Sequence, residues 1–241
     1  MTDRTGRRRR AVALIVGILL LLGLSCWALT YTPLFRARHI RVTGVHVLTA
    51  EEVRGLGEVD EATNVVHVDR DAVVARLETN PWVADAAVLV ELPDTLELRI
   101  TERRPVGLID ALGEHGVLAS DASVLPMAPG VPGELPAVRA ALGAPSELQR
   151  EAAAAILVAI DPVVSKRVSA VTVGQDGLVT LTLTSGTTVQ TGAAGEEAAK
   201  AEALRAVLRW ASSDDLELTS IDVSAPTAPS ATLSDGSTLT P

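Results

Sequence analysis

Apolar and polar positions follow three patterns along this chain. The first is an unbroken run. "AVALIVGILLLLGLSCWAL", Ala11 to Leu29, is 19 residues without a charge. As a helix it spans roughly 28 Å, about the thickness of a bilayer's hydrocarbon core. From Arg38 the pattern breaks into short elements. "HIRVTGV" alternates Ile40, Val42 and Val45 around Gly44, which predicts a strand and a bend. Thr49 and Glu52 are spaced as a capping box, so a short helix is expected to start at Thr49. "NVVHV" reads as a short strand or extended piece. Asp69 is the candidate N-cap of "DRDAVVARLETN", whose apolar positions 73, 74 and 77 recur at helical spacing. Pro81 ends that helix, and Trp82 lies at the joint with the next strand.

"VLVEL" and "LELRI" then form two strands across Pro93 and Asp94, with proline suited to the first central turn position. Leu96, Leu98 and Ile100 share one face of the second strand. A two-residue turn pairs Leu89 with Leu98, whereas a longer loop brings Val88 and Val90 to that face. The pattern leaves both registers open. The order is strand, helix, helix, strand, strand. It predicts an α+β unit over residues 39–104, with two helices on one face of a three-stranded sheet.

The third pattern begins at Pro105. Apolar runs on either side of "GEHG" predict a hairpin, and the glycine- and proline-dense stretch 126–145 is read mostly as loop, with an extended piece at "LPAVR". Ser146 and Gln149 form a second capping box, opening a helix that Asp161 and Pro162 stop. "VSAVTV", "LVTLTLT" and "TTVQTG" are strands separated by turn sequences. Val179, Leu181 and Leu183 alternate with threonines, so one face of their sheet is expected to be wet. "EEAAKAEALRAVLRW" is an amphipathic helix, acidic at its start and basic at its end as the helix dipole favours. "LELTSIDVS" is read as the final strand of a unit over 105–223. Residues 224–241, rich in Ser, Thr, Ala and Pro, are read as a sheet edge and flexible tail.

Charge divides the chain in two. The first 41 residues hold eight arginines against Asp3, while the rest hold 13 basic and 29 acidic groups. An acidic body repels phosphate backbones, so nucleic-acid binding is not expected. The five arginines of residues 1–10 place that tail in the cytoplasm, and Trp27, Tyr31 and Phe35 mark the outer interface. The body, beyond a juxtamembrane segment 30–38, then lies outside the cytoplasm. The competing reading is a cleaved export signal with Gly23, Ser25 and Ala28 near the cut. The run is longer than such signals need and no A-x-A follows, so a retained anchor is expected. Cys26 is the one cysteine, leaving the body without an internal disulfide.

Candidate chemistry is sparse. Histidines 39, 46, 67 and 115 have no spacing that gathers metal ligands or pairs with a nucleophile. Trp82 is either a binding hot spot or a core plug, and its place at a helix–strand joint favours the plug. Glu102, Arg103 and Arg104 are either a docking surface or a solvated strand end that salt-bridges across the domain boundary, the latter being commoner. The last strand leaves an edge whose backbone groups a partner strand can join, although Pro226 and Pro229 are equally suited to blunting it.

"NPWVADAAVLVELPDTLELRITERRPVG" resembles the FtsQ/DivIB family of bacterial division proteins, at the end of that family's POTRA domain. The residues that carry the likeness are Pro81, Trp82, Val83, Pro93, Asp94, Thr95, Leu96, Glu102, Arg103 and Pro105. "HIRVTGV…LTAEEV", with Gly44, resembles the domain's opening, and "SIDVSAPTAP" resembles the last strand of the family's β domain. Val45, His67 and Gly107 depart from the usual pattern. The resemblance implies a single N-terminal transmembrane helix, a POTRA domain, and a mainly antiparallel β domain with two helices.

It also implies a non-enzymatic, single-pass plasma-membrane scaffold at the division septum, linking early division proteins to septal peptidoglycan synthesis. The implied partners are FtsB/FtsL-type coiled-coil proteins and the FtsW/FtsI-type synthase, with no cofactor, metal or small-molecule substrate. Partner binding is expected by strand pairing over Ile221 to Leu233, through Ile221, Asp222, Val223, Ser224, Pro226, Ala231 and Leu233. Arg209 and Trp210 on the preceding helix are supporting candidates. The alternative is an exported or membrane-anchored cell-wall enzyme or binding protein. Its acids would be Glu114, Asp121, Asp214 and Asp215, which lack partners in the sequence pattern that would tune them. A barrel-assembly role needs many ten-residue alternating strands, and the part after Pro105 is too short and too helical for them.

Overall fold

The structure, a computed structural model, describes the backbone of residues 3–111 and 114–240, and side chains from Ala13 onward except those of Ala111 and Glu114. The chain divides into two compact units, Met1–Glu102 and Arg103–Pro241.

The first unit opens with helix α1, Asp3–Leu29. From Leu14 to Leu29 its large apolar side chains are exposed on every side. Among the described residues no helix is long and apolar enough to cross a membrane. The described side chains of the apolar run begin at Ala13, so the span expected over Ala11 to Leu29 reaches past them. Beyond α1 the chain is strapped to residues 63–67. The Thr30 carbonyl accepts from Asn64 Nδ2 at 2.7 Å, His67 Nε2 lies 2.8 Å from Thr30 Oγ1, and the His67 ring stacks on Tyr31 at 4.1 Å. Val65 N–H donates to the Phe35 carbonyl and Ala37 N–H to Thr63, both at 2.8 Å. "NVVHV" is therefore a turn with one bridge, Arg36 to Asn64, and not a strand. Its hydrogen bonds go to the segment just after α1 instead of a ladder.

The α+β part has strand β1 (His39–Thr43), helices α2 (Ala50–Gly57) and α3 (Arg70–Leu77), and strands β2 (Val83–Glu91) and β3 (Thr95–Glu102). The sheet order is β1-β3-β2, with β1 parallel to β3 and β2 antiparallel to it. Both expected caps form: Thr49 and Glu52 make the full capping box, and Asp69 accepts from Ala72 N–H at 3.1 Å. The hairpin register pairs Val88 with Leu98 and Val90 with Leu96. A three-residue loop, Leu92 to Asp94, thus brings Val88 and Val90 beside the buried Leu96, Leu98 and Ile100. Trp82 is 2% exposed and belongs to the core, as does Leu77 at the end of α3.

The POTRA-like signature residues have structural tasks. Gly44 turns the chain at φ +82°, and a Cβ there would lie 1.9 Å from the Ile100 carbonyl oxygen, so no other residue fits. The Glu102 carboxylate, its side chain 6% exposed, accepts from the backbone N–H groups of His46, Val47 and Leu48 at 2.8, 2.9 and 2.8 Å. Three successive amides around one carboxylate form an anion nest that pins the loop after β1 to the end of β3. Glu102 is thus a buried acceptor within the first unit and not a solvated, salt-bridging strand end.

The second unit contains β4 (Pro105–Ala111), β5 (Glu114–Ala119), β6 (Val124–Pro126), β7 (Ala137–Ala140), α4 (Glu147–Ala159), α5 (Pro162–Ser165), β8 (Val168–Val173), β9 (Val179–Leu183) and β10 (Thr188–Gly192). It continues with α6 (Glu197–Ser213), β11 (Leu218–Asp222), β12 (Ser230–Leu233) and β13 (Thr238–Leu239). The strands form one ten-stranded sheet in the order β13-β12-β11-β10-β9-β8-β7-β4-β5-β6. Most pairs are antiparallel, but β4–β7, β7–β8 and β10–β11 are parallel. In two of these pairs, β7–β8 and β10–β11, a helix (α4 and α6 respectively) carries the chain over the sheet to its next strand, and such a crossover delivers that strand in the same direction. β4 and β7 are joined through β5, β6 and a loop instead. The expected pair of helices gains a short third one, α5, at Asp161 and Pro162. The hairpin turn expected at "GEHG" falls partly outside the described residues.

Helices α4 and α6 cover one face. Ala153, Ile156, Leu157, Leu204 and Val207 join Val171, Leu181, Val189 and Ile221 in one buried core. Each fully buried leucine or isoleucine there contributes roughly 2 kcal/mol. Thr172, Thr180, Thr182, Thr188 and Gln190 line the opposite, partly exposed face. Gly107 has a reason in this packing: a Cβ would meet Val138 Cγ2 at 2.5 Å. The sheet does not end at "LELTSIDVS". It runs on through a hairpin in the Ser/Thr/Ala/Pro-rich segment, which carries β12 and β13.

Two pairs of variants test the first unit by denaturant unfolding of the purified chain. Gly44→Ala is expected to destabilise by about 3 kcal/mol through the carbonyl clash. Gly55→Ala, in α2 with open space around it, should be neutral or stabilising by up to about 1 kcal/mol. Glu102→Gln should lose about 2 kcal/mol, since the nest loses its charge and one acceptor oxygen. Glu91→Gln, in an exposed pair with Arg41 at 3.5 Å, should change stability by less than about 0.5 kcal/mol.

Candidate interaction edge

The C-terminal half of the sheet is built outward from β10. β11 joins it in parallel, matching Thr188 to Ser220, Val189 to Ile221 and Gln190 to Asp222. Val223 N–H extends this ladder to the Gln190 carbonyl at 2.9 Å. β12 then pairs antiparallel with β11, matching Ile221 to Ala231 and Asp222 to Ser230. Thr219 Oγ1 donates to the Leu233 carbonyl at 2.9 Å, bridging the register shift between Leu218 and Ser220. β13 pairs with β12 through Ala231–Leu239 and Thr232–Thr238.

The predicted binding residues separate by burial. Ile221, Val223 and Ala231 are buried in the core, and Ile221 is paired on both sides, with Val189 of β10 and Ala231 of β12, so it does not lie at the sheet margin. Asp222, Pro226 and Leu233 are half-buried and Ser224 is exposed. Asp222 Oδ1 accepts from Ser224 N–H at 2.8 Å, turning the chain out of β11. Pro226 and Pro229 lie in the connection between β11 and β12, and neither is on the outer strands. On α6, Arg209 is exposed and Trp210 is half-buried against the core. A groove of about 650 Å³ at the C-terminal end of α6 is bordered by Leu208, Ala211, Leu218 and Ser234, so it adjoins this edge.

The turn between β12 and β13 was not foreseen as structure. Gly236 N–H donates to the Leu233 carbonyl at 3.1 Å, Leu233 N–H donates to the Ser237 carbonyl at 2.9 Å, and Gly236 takes φ +86°. Asp235 Oδ1 accepts from Ser237 N–H at 2.8 Å and from its hydroxyl at 2.6 Å. The Ser237 hydroxyl, then its amide, hold the Asp235 carboxyl below its ordinary range. The dipeptide Asp-Gly between "SATL" and "STLT" was the signal for this hairpin. Thr232, Thr238 and Leu239 are thereby added to the edge.

The other candidates lie elsewhere. Pro81 and Trp82 lead into β2, and Pro93 and Asp94 form the hairpin loop, where the Asp94 carbonyl accepts from His39 N–H at 3.2 Å. Arg103 Nε donates to Asp121 Oδ2 at 2.8 Å, and Pro105 begins β4. Partial burial pushes the Asp121 carboxyl upward, but hydrogen bonds from Ser123 and Arg103 outweigh it and hold the group low. Asp214 and Asp215 end α6. His46 sits 3.8 Å from Glu102, His67 stacks on Tyr31, and His115 contacts Asp110. Among the described residues no group of three His, Cys, Asp or Glu side chains is placed to hold a metal ion.

Comparison with known proteins agrees with both units. Residues 35–103 match the family model "POTRA domain, FtsQ-type", and residues 105–224 match "Cell division protein FtsQ/DivIB, C-terminal". The "Cell division protein FtsQ" of Streptomyces bingchenggensis is 35% identical over 243 residues, covering 95% of this chain and 88% of that protein. The protein of the same description from Mycobacteroides abscessus is 31% identical over 196 residues, 81% of this chain and 63% of its own length. A solved extracytoplasmic domain of the division protein DivIB from Geobacillus stearothermophilus aligns with TM-score 0.34 at 14% identity, over 48% of this chain and 96% of that one. The chain belongs to the FtsQ/DivIB family of cell division proteins.

Proposed function

We propose that this protein is a single-pass membrane scaffold of the division septum that acts by binding other proteins and not by catalysis. Its role is to link early division proteins to septal peptidoglycan synthesis, with FtsB/FtsL-type coiled-coil proteins as direct partners and the FtsW/FtsI-type synthase beyond them. The anchor is the apolar stretch Ala11 to Leu29. A helix that exposes leucine and isoleucine on every side needs a lipid surround, and the arginines before it favour a cytoplasmic N-terminus.

The observation that carries the binding reading is the state of the sheet's two ends. β6 closes with Pro126, which offers no N–H to a further strand. At the other end, β12 and β13 hold no proline, and Pro226 and Pro229 sit in the loop before them. That contrast supports strand pairing at the C-terminal end over blunting of the edge. The buried Ile221, Val223 and Ala231 hold β11 and β12 in place, and the main-chain groups that a partner strand can share are those of the outer strands β12 and β13.

Removing residues 225–241 from the full chain tests this. It deletes β12 and β13 while leaving Ile221 and Val223 in the core. Capture of the FtsB-type partner from solubilised membranes should be lost, with membrane insertion and protease resistance of residues 39–222 retained. Undiminished capture would refute strand pairing at this edge.

A further inference from the structure

The edge that the strand-pairing reading requires is already taken. β13 lies along β12 for two residue pairs, Ala231–Leu239 and Thr232–Thr238. It brings little of its own to that position. Thr238 and Leu239 are both exposed, and Leu239 keeps 41% of its surface in solvent beside the buried Ala231. What holds the strand is mostly its turn, closed by Asp235, Gly236 and Ser237. The hairpin also lies beyond residue 224, where the match to the family's C-terminal domain ends.

We propose that β13 is an exchangeable cap: an extended segment of the partner displaces Thr238–Leu239 and pairs with β12 in its place. This rests on the strand-pairing reading above and adds how the edge is kept until the partner arrives. Besides the two pairs, the turn adds one main-chain bond, from Leu233 N–H to the Ser237 carbonyl at 2.9 Å. An incoming strand that reproduces this pairing and buries more side-chain surface than the exposed Thr238 and Leu239 is favoured over the cap. The cap's geometry also defines what fits: an aliphatic residue opposite the buried Ala231 that buries more of itself than Leu239 does, and a small polar residue opposite Thr232. Without a partner the cap shields a row of unpaired N–H and C=O groups that would otherwise invite edge-to-edge association. Its cost is a lower apparent affinity, since the partner binds only the uncapped fraction.

A reversible lock tests the exchange. Thr232 Oγ1 and Thr238 Oγ1 lie 3.4 Å apart, so cysteines at both positions can bridge. The full chain carrying Cys26→Ser, Thr232→Cys and Thr238→Cys is titrated with the purified extracytoplasmic segment of the organism's FtsB-type coiled-coil protein. The oxidised form should bind at least about tenfold more weakly than the same sample after reduction, because its uncapped fraction is removed. Deleting residues 235–241 alone should tighten binding by about threefold or more for the converse reason. Equal binding by the oxidised and reduced forms overturns the exchangeable cap. If that equality accompanies loss of binding on deleting 225–241, the edge still binds and only the exchange is wrong. If deleting 225–241 changes nothing, strand pairing itself fails.

Discussion

Every strand at the margin of an open sheet carries a row of main-chain donors and acceptors that must find partners, and this requirement organises the larger unit of the protein. Ten strands in one sheet leave two such margins. One is closed by a short strand ending in Pro126 and one by the two-residue strand of the C-terminal hairpin. The helices cannot serve this purpose, because α4 and α6 are committed to covering the apolar face. In the proposed exchange, the margin by the C-terminus is where one main-chain partner gives way to another.

The smaller unit meets a different demand. Its sheet is short, and its loops are fixed by charge and geometry instead of by many strands. Glu102 gathers three amides of the loop after β1, and Gly44 lets that loop pass against the Ile100 carbonyl. Residues 63–67 strap the end of α1 to this unit through Asn64, Val65 and His67. The residues that make the family recognisable in the sequence are thus mostly those that hold this unit together. Their strong pattern reflects folding constraints.

Features set by local chemistry were legible in the sequence. The capping boxes at Thr49–Glu52 and Ser146–Gln149 form as read, because each needs only residues three positions apart. The burial of Trp82 followed from its place at a joint. The β2–β3 register was not legible, since alternation allows two pairings and the loop length decides between them. Nor were the parallel pairs, which arise from the path of the connection between strands (a helix for β7–β8 and β10–β11, the β5–β6 excursion for β4–β7) and not from any property of the strand. The terminal hairpin was missed because a Ser/Thr/Ala/Pro composition outweighed a single Asp-Gly turn signal. Ile221 was read as belonging to the last strand, but β11 is interior to the sheet, paired to β10 and β12, and Ala231 on β12 is buried. Thr232, Thr238 and Leu239, which form the outermost pairing, came from the structure.

The central claim is that the main chain of β12 is where a division partner joins this sheet. The most direct measurement is crosslinking in intact membranes, with a photoreactive residue placed singly at each position from 228 to 240 and from 80 to 105. The account predicts crosslinks to the coiled-coil partner centred on residues 230–233, strong at alternate positions as the two faces of a strand require, and weak ones along 80–105. Crosslinks confined to 80–105, with none above background at 230–233, would contradict it.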